Sequence, residues 1–113
     1  MRKRREGYSV LQEVKASEFD ALVKEEVKPV VLKFTADWCP GCQQVAPIVE
    51  SVAEELQDVV FYNVDVDNNL EFAQQQYKVM SIPTLILLKN GEEVDRVIAP
   101  EASEDAIRTF STQ

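Results

Sequence analysis

The chain has 113 residues, enough for one domain with a single core and too few for two. A hydrophobic fraction of 45% and a charged fraction of 28% are those of an ordinary globular protein and exclude fibrous or disordered classes. The net charge of −8 conceals four basic residues at Arg2, Lys3, Arg4 and Arg5; without them 8 basic residues face 20 acidic ones, a balance of −12 that excludes nucleic acid as a partner of the folded part.

Residues 1–9 read as a flexible basic tail preceding a domain over 10–113. Glu6-Gly7-Tyr8-Ser9-Val10-Leu11-Gln12-Glu13 has no apolar core of the kind a secretory signal needs, and no run reaches the length of a membrane span. The reducing cytoplasm is the expected compartment, where a cysteine pair is more often catalytic than structural. Ser17-Glu18-Phe19-Asp20, with a hydroxyl followed three residues later by a carboxylate, predicts a helix over 17–26 capped by Ser17. Lys28-Pro29 ends it. Val30-Val31-Leu32-Lys33-Phe34 then reads as a strand buried on both faces, with one polar member.

From Cys42 onward, Val45, Ile48, Val49, Val52 and Leu56 recur at helical spacing, with Glu50, Glu54 and Glu55 on the opposite side. Pro47 falls inside this helix, where it removes one backbone hydrogen bond. Residues 59–66 form a β-branched and aromatic strand, and Asp65-Val66-Asp67-Asn68-Asn69 closes it with turn chemistry before a helix over 70–76. Alternation of strands and helices predicts a layered α/β sheet. Residues 84–89 and 92–98 flank Asn90-Gly91, which predicts a two-residue hairpin and hence an antiparallel pair. A closing helix over 103–110 is capped by Ser103 and turns Ile107 and Phe110 inward.

Trp38-Cys39-Pro40-Gly41-Cys42 holds the chain's two cysteines between a strand and a helix. Two sulfurs three residues apart at a helix start can open or close a disulfide with little backbone movement, so the spacing points to a dithiol redox site. A thiolate there gains from unpaired N–H groups and the helix dipole, which makes it a nucleophile. Zinc needs four ligands, and one chain with two cysteines and no histidine lacks them; only a dimer pooling its cysteines would complete a zinc or iron–sulfur set. Trp38 reads either as core filling or as part of the site.

Ala36-Asp37-Trp38-Cys39 with Cys42, Ala46-Pro47, Asn63-Val64-Asp65, Ile82-Pro83-Thr84 and Lys89-Asn90-Gly91-Glu92 occur in an order and spacing that resemble thioredoxin from about residue 11 to 110. The resemblance implies the thioredoxin fold, a central mixed β-sheet with helices on both faces, and thiol–disulfide exchange with protein disulfides. It implies Cys39 as the exposed nucleophile and Cys42 as the more buried resolving cysteine. No cofactor beyond the redox-active cysteine pair is expected, and no metal. Expected partners are disulfide-containing proteins and a thioredoxin-reductase-like electron donor, with the chain itself a monomer. Trp38, Met80, Ile82 and Pro83 would form the substrate-binding groove, the Ile82-Pro83 bond being cis against the usual trans preference.

The sequence departs from the resemblance at several positions. Pro40-Gly41 reverses the usual order between the cysteines; Pro suits N1, and Gly41 leaves an amide free so that Gly41 and Cys42 would both approach the Cys39 sulfur. Lys33 stands where thioredoxins typically carry a buried aspartate beneath the second cysteine, and Phe61 stands in place of that aspartate's lysine partner. A Lys33 ammonium facing the dithiol would favour thiolate and raise the potential above thioredoxin's roughly −270 mV; a snorkelling ammonium would not. Thr35 replaces a tryptophan, and Ile98 is aligned with a glycine that lets target backbone approach, so it would narrow the groove. These departures leave open a binding or adaptor module with little redox turnover.

Overall fold

In the computed structural model, which describes residues 10–113, the elements run β1 (Gln12–Glu13), α1 (Ala16–Glu25), β2 (Val30–Thr35), α2 (Pro40–Glu55), β3 (Val60–Asp65), a π-helical turn (Phe72–Gln76), β4 (Thr84–Lys89), β5 (Glu92–Ile98) and α3 (Glu104–Ser111). The basic segment 1–9 lies outside the described residues.

The strands form one sheet in the order β1-β3-β2-β4-β5. β1 and β2 run parallel to β3, while β4 is antiparallel to β2 and β5 to β4. β2 is therefore central, which is why its apolar residues are buried on both faces. Leu32 and Phe34 point into a core with Phe19 and Val23 of α1, Val64 of β3, and Phe72 and Ala73. Val31 points into a second core with Val45, Val49 and Val52 of α2 and Ile107 and Phe110 of α3. Helices thus cover both faces, as the resemblance implies.

The first core contains an aromatic cluster. Phe19 meets Phe72 edge-on with ring centroids 4.8 Å apart, and Tyr77 lies 5.3 Å from Phe72 and 6.0 Å from Phe34. Such pairs add about 0.5–1.5 kcal/mol each beyond the apolar area they bury. They anchor the π turn against β2.

The hairpin forms at Asn90-Gly91, whose φ angles of 55° and 79° are both in the left-handed region that a two-residue turn of this hand requires. One local expectation needs correction, at the start of α1, and two features add to the sequence reading. Strand β1 has only two residues, both exposed, and so carries no apolar signature. Ser17 does not cap α1: the N-cap is Lys15, without a side-chain cap, and the Ala16 N–H donates instead to Asn69 Oδ1 at 2.9 Å. The helix expected over 70–76 forms, and from Phe72 to Gln76 it widens into a π turn closed by the Tyr77 N–H donating to the Phe72 carbonyl at 3.2 Å. A π turn widens the backbone by one residue, and here it keeps both Phe72 and Ala73 buried.

Candidate active site

The carboxyl end of β2 leads through residues 36–39 into α2, so the sheet's central strand delivers Cys39 to the N-cap of the longest helix. Pro40 occupies N1, where its missing N–H has no intrahelical role. Cys39 and Cys42 are joined as a disulfide with Cα atoms 5.2 Å apart. The Cys42 N–H donates to Cys39 Sγ at 3.1 Å. This is an N-cap hydrogen bond with sulfur as acceptor, and one of two amides expected there; the Gly41 amide does not join it. Gly41 is nonetheless close to the opposite wall, because a Cβ at this position would lie 3.5 Å from Pro83 Cδ.

That wall comes from the segment before β4. The Ile82-Pro83 bond is cis, Pro83 is buried, and Cys39 Sγ lies 3.9 Å from the Ile82 carbonyl oxygen. A groove of about 390 Å³ opens beside the disulfide, lined by Trp38, Cys39, Val66, Asp67, Leu70, Ala73, Gln74, Val79, Met80, Ser81 and Ile82. Trp38 is 65% exposed and Met80 83% exposed, so both are surface and neither is core filling. A more open depression bounded by Asn68, Gln75 and Gln76 contains no cysteine or other nucleophile, which leaves the groove at Cys39 as the site.

The cysteines differ in access less than expected. Cys39 is only 5% exposed and Cys42 2%, which corrects the expectation of an exposed Cys39. The asymmetry that remains is positional: Cys39 lines the groove and Cys42 does not.

Asp67 was not singled out by sequence reasoning. The Asp67 N–H donates to Asp65 Oδ1 at 2.9 Å in a local turn, which brings the Asp67 carboxylate to Trp38, whose Nε1–H donates to Oδ2 at 2.7 Å. Asn69 secures the same loop, donating to the Asp65 carbonyl at 2.9 Å while its Oδ1 accepts from α1. The Asp-x-Asp-Asn-Asn run signalled a turn, but a partner 29 residues away leaves no local trace.

Lys33 lies on the α2 face of β2 and is 8% exposed. Burial lowers its pKa below the usual lysine range, with Glu50 and then Glu13 opposing the fall. Glu50, on α2, and Glu13, on β1, are the two carboxylates that act on the ammonium. Phe61 fills the same face as core.

Ile98 is exposed, pairs with Thr84 and does not line the groove. The residue beside Pro83 is Ala99: its N–H donates to the Pro83 carbonyl at 2.8 Å, and its φ of 50° lies where glycine is favoured. The glycine-like position is therefore 99, and Ile98 does not narrow the groove.

Comparison with known proteins agrees with this geometry. A profile of the thioredoxin family, described as Thioredoxin, matches residues 10–112. Thioredoxin-2 of Saccharomyces cerevisiae is 43% identical over 100 residues, covering 87% of this chain and 95% of its own. Thioredoxin of Mycobacterium tuberculosis is 41% identical over 85 residues, covering 74% and 72%. The solved thioredoxin of Fasciola hepatica superposes with a TM-score of 0.80 at 36% identity, covering 90% of this chain and 97% of that one. The chain belongs to the thioredoxin family. It is a thiol–disulfide oxidoreductase that works through its own Cys39–Cys42 pair, and family membership implies protein disulfides as substrates and a reductase as electron donor. Among the described residues no helix is long and apolar enough to cross a membrane.

Proposed function

We propose that Cys39 is the attacking cysteine and Cys42 the resolving one. In the reduced protein the Cys39 thiolate attacks one sulfur of a target disulfide, forming a mixed disulfide and releasing the target's other sulfur as thiolate. The Cys42 thiolate then attacks Cys39 Sγ, which releases the target's second thiolate and closes the Cys39–Cys42 disulfide. Two electrons have passed to the target. A partner reductase returns them, completing an electron-transport cycle in the reducing cytoplasm with the chain acting as a monomer.

The observation that carries this reading is the Cys42 N–H donating to Cys39 Sγ at the floor of the groove. A hydrogen bond to the charged form favours thiolate over thiol, and Cys39 alone of the pair receives it there. Trp38, Met80, Ile82 and Pro83 supply the walls that hold the target chain.

Turnover of insulin disulfides driven by dithiothreitol, followed as insulin precipitation, tests the reading. The wild-type chain accelerates precipitation and Cys39→Ser abolishes the acceleration. Unchanged turnover in Cys39→Ser would remove Cys39 from the attacking role.

A further inference from the structure

The groove is chemically one-sided. Among its lining residues Asp67 is the single charged side chain, with no Lys or Arg, and the exposed neighbours of Trp38 and Leu70 in the chain are also acids, Asp37 and Glu71. Asp67 does two things at once. Its Oδ2 accepts the Trp38 indole N–H at 2.7 Å, which holds the ring by its edge, and its other carboxylate oxygen has no protein partner among the described residues. The ring itself remains 65% exposed. An indole face held open next to a carboxylate at its rim matches a planar cation: the guanidinium stacks on the ring while its N–H groups reach the carboxylate. A compact ammonium pairs with the carboxylate but gains less from the ring, and a carboxylate is repelled.

We propose that Trp38 and Asp67 form a recognition subsite for an arginine of the target protein close to the cysteine that Cys39 attacks. The proposal rests on the exchange reading above and adds a substrate preference to it. Disulfides flanked by arginine react fastest, those flanked by lysine less fast, and those flanked by acidic residues slowest. The preference is electrostatic in part and so weakens with salt.

The test uses short peptides with one cysteine carried as a mixed disulfide with thionitrobenzoate, and with Arg, Lys, Gln or Glu placed in turn on either side of that cysteine. Attack of the Cys39 thiolate on the peptide sulfur forms a protein–peptide disulfide and releases the yellow thionitrobenzoate anion, whose absorbance gives the rate. Each rate is divided by that of glutathione with the same peptide, which removes the effect of the flanking charge on the peptide's own reactivity. The Arg peptide should exceed the Gln peptide by about fivefold, with Lys between, a difference on the order of 1 kcal/mol. Asp67→Asn keeps an acceptor for the indole N–H and removes the charge, so the Arg-to-Gln ratio should fall to within about twofold of one. Trp38→Leu removes the ring and should erase the difference between Arg and Lys. Equal normalised rates for Arg and Gln, or an Arg preference intact in Asp67→Asn, would overturn the subsite. Equal rates for Arg and Lys in the wild type would overturn the stacking on which the choice of arginine depends. No release from any peptide, Gln included, would overturn the exchange reading itself.

Discussion

Lys33 is a base whose folded pKa lies below its unfolded value, because burial in β2 disfavours the ammonium more than Glu50 and Glu13 favour it. Between those two values the unfolded chain holds a proton that the folded chain has released, so stability rises with pH through that window. Lys33→Met should lose this rise, and urea denaturation of both proteins at several pH values from 8 to 10.5 measures it. Tyr62 and Tyr77, which have raised pKa values and act in the opposite direction, are common to both proteins and cancel. Since the charges that act on the ammonium are the carboxylates of Glu50 and Glu13, Lys33→Met should also leave the redox potential within about 10 mV, where one pKa unit at a thiol would move it by about 30 mV. A shift of that size, measured by equilibration with glutathione, would put the charge back at the dithiol. Ala99 gives the second residue test. Its φ of 50° costs an L-residue about 1 kcal/mol that glycine avoids, so Ala99→Gly should raise the thermal midpoint, read by circular dichroism.

The helices separate caps that a sequence pattern reveals from caps that it does not. Ser103 Oγ accepts the Ala106 N–H at 3.1 Å at the start of α3, as its position ahead of Glu104 and Asp105 predicts. Ser17 offers the same local pattern at α1, but the chain starts that helix one residue earlier and draws its acceptor from Asn69 on a distant loop. Ser103→Ala should therefore cost about 1 kcal/mol and Ser17→Ala close to none, by urea denaturation. The same distinction governs the site. Cys39, Cys42, Trp38 and the Ile82-Pro83 wall lie in contiguous motifs and were legible from them. β1 was not, because two exposed residues form a strand only by pairing with Tyr62 and Asn63. Asp67, Ala99 and the surroundings of Lys33 were equally hidden, since each is defined by a partner on another element.

Three segments far apart in the chain meet at the groove: the β2–α2 connection, the loop and π turn after β3, and the strand entry at Pro83. The sheet order β1-β3-β2-β4-β5 makes this possible, since it places β3 and β4 on either side of β2 and brings their loops to Cys39. The aromatic cluster under the π turn holds one of those loops in place. Phe34→Ala, at a fully buried position in that cluster, should cost about 3–5 kcal/mol, a large part of the 5–15 kcal/mol typical of a domain this size, and should loosen the groove wall as well. Alkaline unfolding follows from the same burial: Tyr77 has its pKa raised to about 12, chiefly by desolvation, so its contribution is intact below pH 10 and is lost as pH rises toward 12. The claim on which the account turns is that the groove presents one sulfur to the target and keeps the other for release. Trapping in a cell extract measures it directly. Cys42→Ser should accumulate protein adducts linked through Cys39 and cleaved by dithiothreitol, while Cys39→Ser accumulates none; adducts on Cys39→Ser, with none on Cys42→Ser, would contradict it.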